Sequence, residues 1–335
     1  MTLPLETREL AIGYSRRGRG DVRLGQGLNL RLQSGKLVGL LGPNGIGKST
    51  LLRTLAGVQK PLAGELLLAG DDIRRLKPRD LAGRLSMVLT AIPPPSLMNG
   101  YALVALGRHP HTDWLGRMTE RDHRQVTAAL RSVKGEDLAE RPVAELSDGQ
   151  RQKLLIARAL AQGSEIMLLD EPTAFLDLPR RIQTVALLKH LARNEKRAIL
   201  VSTHDLDLAI RYCDKLWLMS ASGIVSGAPE DLVLDGSLGM AFRASGIRFD
   251  TDRGSFFLDP PGRGTIYVEG NCEHANWLRR AVTRAGFEVG EKPGRTVLSR
   301  SGNGHDPGWK LRIDERVTLH ETIEAVLNEL EGQFE

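Results

Sequence analysis

One nine-residue string constrains this chain more than any other: Gly42-Pro43-Asn44-Gly45-Ile46-Gly47-Lys48-Ser49-Thr50. It fits the spacing G-x-x-x-x-G-K-[ST]. The apolar run LVGLL at 37–41 precedes it, and a helical pattern from about Lys48 to Ala56 follows. A buried strand, a glycine-rich turn and a helix N-terminus, in that order, make an anion cradle. The glycines let the backbone wrap so that its N–H groups point inward, and the helix dipole adds to the attraction for phosphate. Lys48 is placed to reach the β- and γ-phosphates of a nucleotide, and the Ser49 hydroxyl to ligate Mg²⁺. The plain alternative is a glycine-rich turn that binds nothing, and the flanking strand and helix argue against it.

The first two-thirds of the chain alternates short apolar runs with helical patterns, which is the rhythm of an α/β fold with a largely parallel sheet. IMLL at 166–169 and AILVS at 198–202 read as two more buried strands. Asp170 and Glu171 follow the first of them, at the carboxyl edge of the sheet where the glycine-rich loop also opens. Asp170 would hold Mg²⁺ through its water shell. Glu171, one residue on, would polarise a water against the γ-phosphate. Two acids merely ending a strand is the weaker alternative.

Leu146-Ser147-Asp148-Gly149-Gln150, before RQKLLIARAL, narrows the class. Here the sequence resembles the ATP-binding-cassette (ABC) ATPases, whose signature is usually LSGGQ; Asp148 departs from it, and its side chain is expected to point outward. Ser147 offers a hydroxyl and Gly149 a bare backbone N–H at a helix start. In the family, this element with Gln150 presses on the γ-phosphate bound by a second subunit. The resemblance implies further roles in chain order. Tyr14 would stack on adenine. Phe175-Leu176-Asp177 would meet the opposing phosphate loop. His204, in Ser202-Thr203-His204-Asp205, would contact the γ-phosphate and position Glu171. For Tyr14 and His204 the alternative reading is simple packing. The family also carries a Gln where the chain enters the proline-rich stretch 92–114; this sequence has Thr90 and then Ala91, which puts a direct Mg²⁺ contact in doubt.

The resemblance covers roughly residues 3–235 and is nearest to ATPase subunits of bacterial iron-siderophore, haem and cobalamin importers, on the wording TAFLDLPRR, STHDLDLA and ALGRHPH. It implies two cassettes closing head to tail on two ATP molecules, with residues 92–114 docking an integral membrane permease. It also implies an external substrate-binding protein acting through that permease, and a peripheral position on the cytoplasmic face of the inner membrane. An exporter subunit is one rival reading. A cassette acting on DNA or ribosomes is another; the chain lacks the long insertions such proteins carry, and no nucleic-acid partner is expected.

Composition sets the frame. With 335 residues, 41% hydrophobic and 26% charged, the chain is long enough for two domains and ordinary enough to fold. The net charge of +5 does not itself point to nucleic acid, although Arg16, Arg17, Arg19 and Arg23 cluster and suit either a solvated loop or an anionic surface. Cys213 and Cys272 have no metal-type spacing and read as free thiols. The first residues show no signal-peptide pattern, and no run reaches the ~18 apolar residues of a spanning helix. The expected architecture is therefore α/β: a P-loop NTPase cassette of ABC type with a helical signature subdomain over residues 1–235, then a small accessory α+β domain over 236–335. In the latter, strands at 265–269, 296–300 and 309–313 and helices at 273–285 and 320–330 suggest a ferredoxin-like unit or a dimer-bracing tail. Trp277, Leu278, Ala281 and Val282 are expected together on the core side of the first helix.

Overall fold

The computed structural model describes residues 3–16, 20–89, 98–243, 247–251, 254–258, 262–301 and 308–334. The expectations placed on Thr90, Ala91 and the start of the proline-rich stretch lie outside the described residues. By internal contact the chain divides into one unit of Met1–Arg243 with Phe249–Ser255, and a second of Ala244–Arg248 with Phe256–Glu335.

In the first unit the strand Leu37–Leu41 is buried along its whole length, and its position explains why. It pairs in parallel with Ala198–Ser202 on one side and Lys215–Ser220 on the other. Ile166–Leu169 and then Leu85–Val88 continue the parallel set, while Gly223–Gly227 closes the far edge antiparallel. The resulting six-stranded sheet is covered on both faces. Val38, Leu40, Leu168, Leu200 and Trp217 point into one apolar core with Leu51 and Leu55 of the helix Lys48–Leu55. Leu37, Leu41, Leu169, Val201 and Leu218 point into another, with Leu154, Leu188 and Leu208. Strands with a core on each face must be apolar at successive positions, which is why these runs do not alternate.

A second sheet packs over the first core. It joins Leu5–Arg16 to Gly20–Leu28 and Ala63–Leu68 in antiparallel register, with short pieces at Arg31–Leu32 and Asp71–Asp72. Over the other core lie the helices Gly100–Ala105, Glu120–Ser132 and Asp148–Ala161, the helical subdomain. One buried ion pair ties it together. Arg108 Nε and Nη2 stand 2.9 Å from Asp122 Oδ1, with both side chains under a tenth exposed, and Arg108 Nη1 donates 2.8 Å to the carbonyl of Ala161. Asp122 also accepts from the hydroxyl and N–H of Thr119, the N-cap of its own helix. The Thr119 hydroxyl first, and Arg108 beside it, hold the Asp122 carboxyl down at about 2.

The second unit is built on a five-stranded sheet in the order Glu288–Gly290, Thr265–Val268, Thr296–Ser301, Gly308–Ile313, Arg316–His320. The first three strands are parallel and the last two antiparallel. A ferredoxin-like unit would interleave two split βαβ halves. Here one βαβ crossover through the helix Glu273–Arg284 is followed by a meander, so the ferredoxin-like expectation is corrected to a mixed sheet. His320 is corrected too: it ends a strand, and the closing helix is Ile323–Phe334. Leu278, Ala281 and Val282 enter the core with Ile266, Leu298 and Leu330. Trp277 does not; it is 55% exposed, with the Arg280 guanidinium 4.8 Å from its ring centre. At ~100° per residue the core stripe runs through Ala275, Leu278 and Val282 and leaves Trp277 on the flank. Among the described residues no helix is long and apolar enough to cross a membrane.

The Arg108–Asp122 pair yields a stability expectation. Asp122→Ala leaves a buried guanidinium short of its counter-charge and should lower the cassette's stability by about 3–5 kcal/mol. Because the carboxyl is depressed in the folded state, its contribution is complete above the unfolded value near 3.8 and is lost as pH falls through about 2. Thermal unfolding of the variant and parent at pH 7 and along an acid series checks both. An unchanged melting temperature at pH 7 would show that the pair is not a tie.

Candidate nucleotide-binding and hydrolytic site

The loop after Leu37–Leu41 turns on glycines whose backbone other residues resist. Gly42, Gly45 and Gly47 have φ of 154°, 75° and 115°. At Gly42 a Cβ would also lie 2.5 Å from the carbonyl oxygen of Met219. The helix Lys48–Leu55 that follows has no side-chain cap. The helices starting at Gly100, Glu120, Asp148, Leu178 and Leu206 are capped by Asn99, Thr119, Ser147, Asp177 and Asp205. Ser49 and Thr50 lie in the first turn of the uncapped helix, where N–H groups have no intrahelical acceptor and suit a phosphate.

Lys48 is 6% exposed, and its ammonium donates to the carbonyls of Gly42 (2.8 Å) and Pro43 (3.1 Å). Two of its three donors are thus used to brace the loop, leaving one for a ligand. Burial lowers its pKa, while the charges of Glu171 and Asp170 raise it. Tyr14 is 42% exposed, and its hydroxyl lies 2.5 Å from Thr50 Oγ1, which sets the ring beside the loop. Asn44 and Ile46 complete the turn, with Ile46 N–H donating 3.4 Å to Pro43 O.

The carboxylates come close to this loop because a single strand separates theirs from the one that carries it. Ser202 ends the strand between the phosphate loop and Asp170. Its hydroxyl donates 2.7 Å to Asp170 Oδ1 and accepts 2.9 Å from Glu171 N–H. Asp170 is 8% exposed. The Asp170 carboxylate and the Ser49 hydroxyl are hard oxygen donors of the kind that suit Mg²⁺. Glu171 takes φ of 47°, a left-handed backbone that costs a non-glycine residue of order 1–3 kcal/mol and aims its side chain off the strand line. Glu171 Oε1 is 2.7 Å from His204 Nε2. The second oxygen of Glu171 can take a water's proton, with the imidazole holding the carboxylate in place. Both line an open cavity of about 380 Å³ together with Thr173, Arg181 and Asp205.

The signature lies elsewhere. Ser147 and Gln150 form a reciprocal capping box, Gln150 Oε1 accepting from Ser147 N–H (3.0 Å) and Ser147 Oγ from Gln150 N–H (3.4 Å). The cap uses a lone pair of the Ser147 hydroxyl and leaves its proton to donate. Asp148 is exposed and pairs with Arg151 at 3.1 Å, pointing outward. Gly149 packs under Arg180, whose Cδ would be 2.8 Å from an added Cβ. Among the described residues no hydrogen bond joins 147–150 to 42–50. Phe175, with φ of 62°, is 83% exposed, and Leu178 is 62% exposed beside it. Cys213 is buried, and burial pushes its thiol up to about 12, so it is chemically quiet.

A parallel sheet with a phosphate-cradling loop, a buried Asp170 and a half-exposed Glu171 with one strand between them and that loop, and a signature helix defines a nucleotide-hydrolysing cassette. The family comparison is specific. Residues 26–174 match the ABC transporter family, and residues 263–331 match the iron ABC transporter C-terminal domain. The chain is 40% identical to the achromobactin transport ATP-binding protein of Dickeya dadantii, over 68% of this chain and 84% of that one. It is 38% identical to a cobalamin import ATP-binding protein of Halobacterium salinarum, over 78% and 68%. Among solved structures, the Clostridium perfringens cbiO1 subunit of the cbiONQ ABC transporter complex matches with a TM-score of 0.61 at 26% identity, over 71% of this chain and 96% of that one. The chain belongs to the ATP-binding subunits of ABC transporters, ATPases that power transport.

Ser202 is the functional residue that linear reading missed. Its signal is visible only as a hydroxyl at a strand end; its bridging role depends on which strands are adjacent. For the loop itself, Gly42→Ala should weaken ATP binding about tenfold or more, since a Cβ against the Met219 carbonyl must shift the turn, and each ~1.4 kcal/mol is a factor of ten. Equilibrium binding of a fluorescent ATP analogue, with the melting temperature as a control for folding, measures this. An unchanged affinity would show that the turn does not need its present path.

Proposed function

We propose that this chain is the hydrolytic subunit of an importer for iron-siderophore or cobalamin-type cargo, working as a head-to-tail homodimer on the cytoplasmic face of the membrane. Two relatives of 38–40% identity carry achromobactin and cobalamin in their names, and the match to an iron ABC transporter C-terminal domain supports the same direction. The observation that carries the dimeric mechanism is the separation of two half-sites: Gly42, Lys48 and Glu171 lie together, while among the described residues no hydrogen bond joins Ser147–Gln150 to the 42–50 loop. A second copy supplies the missing half.

In this reading ATP lies on the 42–50 loop with adenine against Tyr14, its phosphates taking the free N–H groups at the helix start and the third donor of Lys48. Ser147 and Gly149 of the partner subunit, with Gln150 of the partner subunit behind them, close over the γ-phosphate. Glu171 accepts the proton of the attacking water, and His204 keeps its carboxylate aimed. Ser49 and Asp170 hold Mg²⁺, which when bound neutralises charge on the phosphates. Ser202 fixes Asp170 and the Glu171 backbone together, so the two carboxylates move as one unit. Residues 92–114 dock the permease, through which an external substrate-binding protein delivers cargo.

The deciding experiment is Glu171→Gln. Turnover should fall by roughly a hundredfold or more while ATP binding persists, and the protein should accumulate as an ATP-bound dimer in sedimentation. Near-normal turnover would remove Glu171 from the role. Ser202→Ala should raise the Mg²⁺ concentration needed for half-maximal ATPase activity about tenfold, the usual scale for a residue that orients a metal ligand, and an unmoved Mg²⁺ dependence would make that hydroxyl merely structural. Loss of ferric-siderophore or cobalamin uptake on deletion, restored by the parent chain but not by the Glu171→Gln variant, tests the cargo class separately.

A further inference from the structure

The two helices of the second unit leave a groove between them that the fold does not fill. Its volume is about 860 Å³, and its walls carry opposite charge. Trp277, Arg280 and Arg284 line one side, on the helix Glu273–Arg284; Glu324, Leu327 and Glu331 line the other, on the helix Ile323–Phe334. The spacings are helical stripes: 277, 280 and 284 on the first helix, 324, 327 or 328 and 331 on the second. Both arginines and both glutamates are exposed, and none of the four has an ion-pair partner in the chain within 4.0 Å among the described residues. The groove is therefore wide enough to keep its own walls apart, with a half-exposed indole held against a guanidinium at its edge.

We propose that this groove is a two-fold interface with a second copy of the same unit, formed without nucleotide. The charges select both the occupant and the geometry. A two-fold axis along the groove lays the basic helix of each protomer over the acidic helix of its partner. Arg280 and Arg284 then face Glu324 and Glu331 of the partner subunit twice over. An axis across the groove would stack like on like, which costs several kcal/mol. The interface is isologous, with the half-exposed Trp277 as its apolar contact and the charges around it. Each 12-residue helix is ~18 Å long and ~10 Å across, so the two together offer less than the ~800 Å² per partner of a standard interface. An interface of that size is a weak one, with a dissociation constant of about 10–100 µM, and closure of the cassettes on nucleotide would raise its effective concentration.

Sedimentation equilibrium of the full-length chain without ATP or Mg²⁺ tests this. The parent should dimerise in the micromolar range and dissociate as salt is raised. An all-acidic variant (Arg280→Glu with Arg284→Glu) and an all-basic variant (Glu324→Arg with Glu331→Arg) should each self-associate at least about tenfold more weakly. Mixed together they should pair, because each then meets the opposite charge on both helices, and the fourfold swap should regain self-association. None of these residues belongs to the hydrolytic site, so unchanged ATPase activity and melting temperature confirm that each variant is folded. A parent chain that stays monomeric up to about 100 µM, charge variants that associate as the parent does, or a mixture that fails to pair would each overturn the proposal. Because ATP is absent throughout, these outcomes are independent of whether Glu171 is the general base.

Discussion

Everything chemical in the cassette depends on the parallel adjacency of three strand ends. Leu37–Leu41 carries the phosphate loop, Ala198–Ser202 lies next to it, and Ile166–Leu169 lies next to that. The Ser202 hydroxyl sits in the middle and joins Asp170 Oδ1 to the N–H of Glu171. The same edge gathers a buried cation, Lys48, and a buried anion, Asp170. Neither would be tolerated alone at such depth, since an unpaired charge out of water is costly. Each is held by local hydrogen bonds, Lys48 by the carbonyls of Gly42 and Pro43 and Asp170 by Ser202, so the site keeps its charges in place before a nucleotide arrives. Preorganisation of this kind is what electrostatic stabilisation of a transferring phosphoryl group needs. The left-handed backbones of Glu171 and Phe175 lie on the same short segment, and the double-sided packing of the strand before it holds that strain.

The parts legible in the sequence are those whose physics is short-range. A glycine loop between strand and helix, two acids ending a buried strand and Ser147 before Asp148 as a cap are all local devices, and the structure has strands at Leu37–Leu41, Ile166–Leu169 and Ala198–Ser202 where the apolar runs stand. What stayed hidden depends on pairing across distance. The antiparallel sheet of Leu5–Arg16 and Gly20–Leu28 has register shifts near Leu10 and Ile12 that break its alternation. Strand Arg316–His320 has an exposed, polar-rich pattern with no strand signal, so it goes unassigned apart from His320, which the sequence pattern places at the start of the helix that follows. Trp277 looked like core because it sits beside Leu278, yet a single residue is ~100° of rotation, enough to move an indole from the core to a groove.

The signature helix shows how one residue can serve structure and chemistry together. Ser147 caps the helix through an oxygen lone pair, and Gln150 returns the favour to its N–H, so the turn is complete without any ligand. The helix Lys48–Leu55 is the opposite case, with its first turn uncapped. A cap is worth roughly 0.5–2 kcal/mol; the helices Pro78–Arg84, Pro229–Leu234 and Ser237–Ala241 also lack one, but only at Lys48–Leu55 does the open first turn follow a glycine loop that can hold phosphate. The asymmetry suits the proposed roles: the loop that carries ATP has open donors, and the element that presses on it from a second chain arrives already rigid.

Two surfaces of different chemistry would then hold a pair of chains. One is a polar surface of half-sites, fringed by the exposed Phe175 and Leu178, and it has little to offer without nucleotide between its halves. The other, the charged groove of the second unit, needs no nucleotide. Forming a dimer from free chains loses translational and rotational freedom, an estimated 4–15 kcal/mol. If the groove has already absorbed that loss, ATP need only shift a linked pair of cassettes from open to closed, and the binding energy of two nucleotides goes into closure. Hydrolysis removes that energy without dispersing the subunits. A motor of this design opens and closes many times on one assembly, and its cycle rate is governed by Glu171 and the γ-phosphate rather than by encounters between chains.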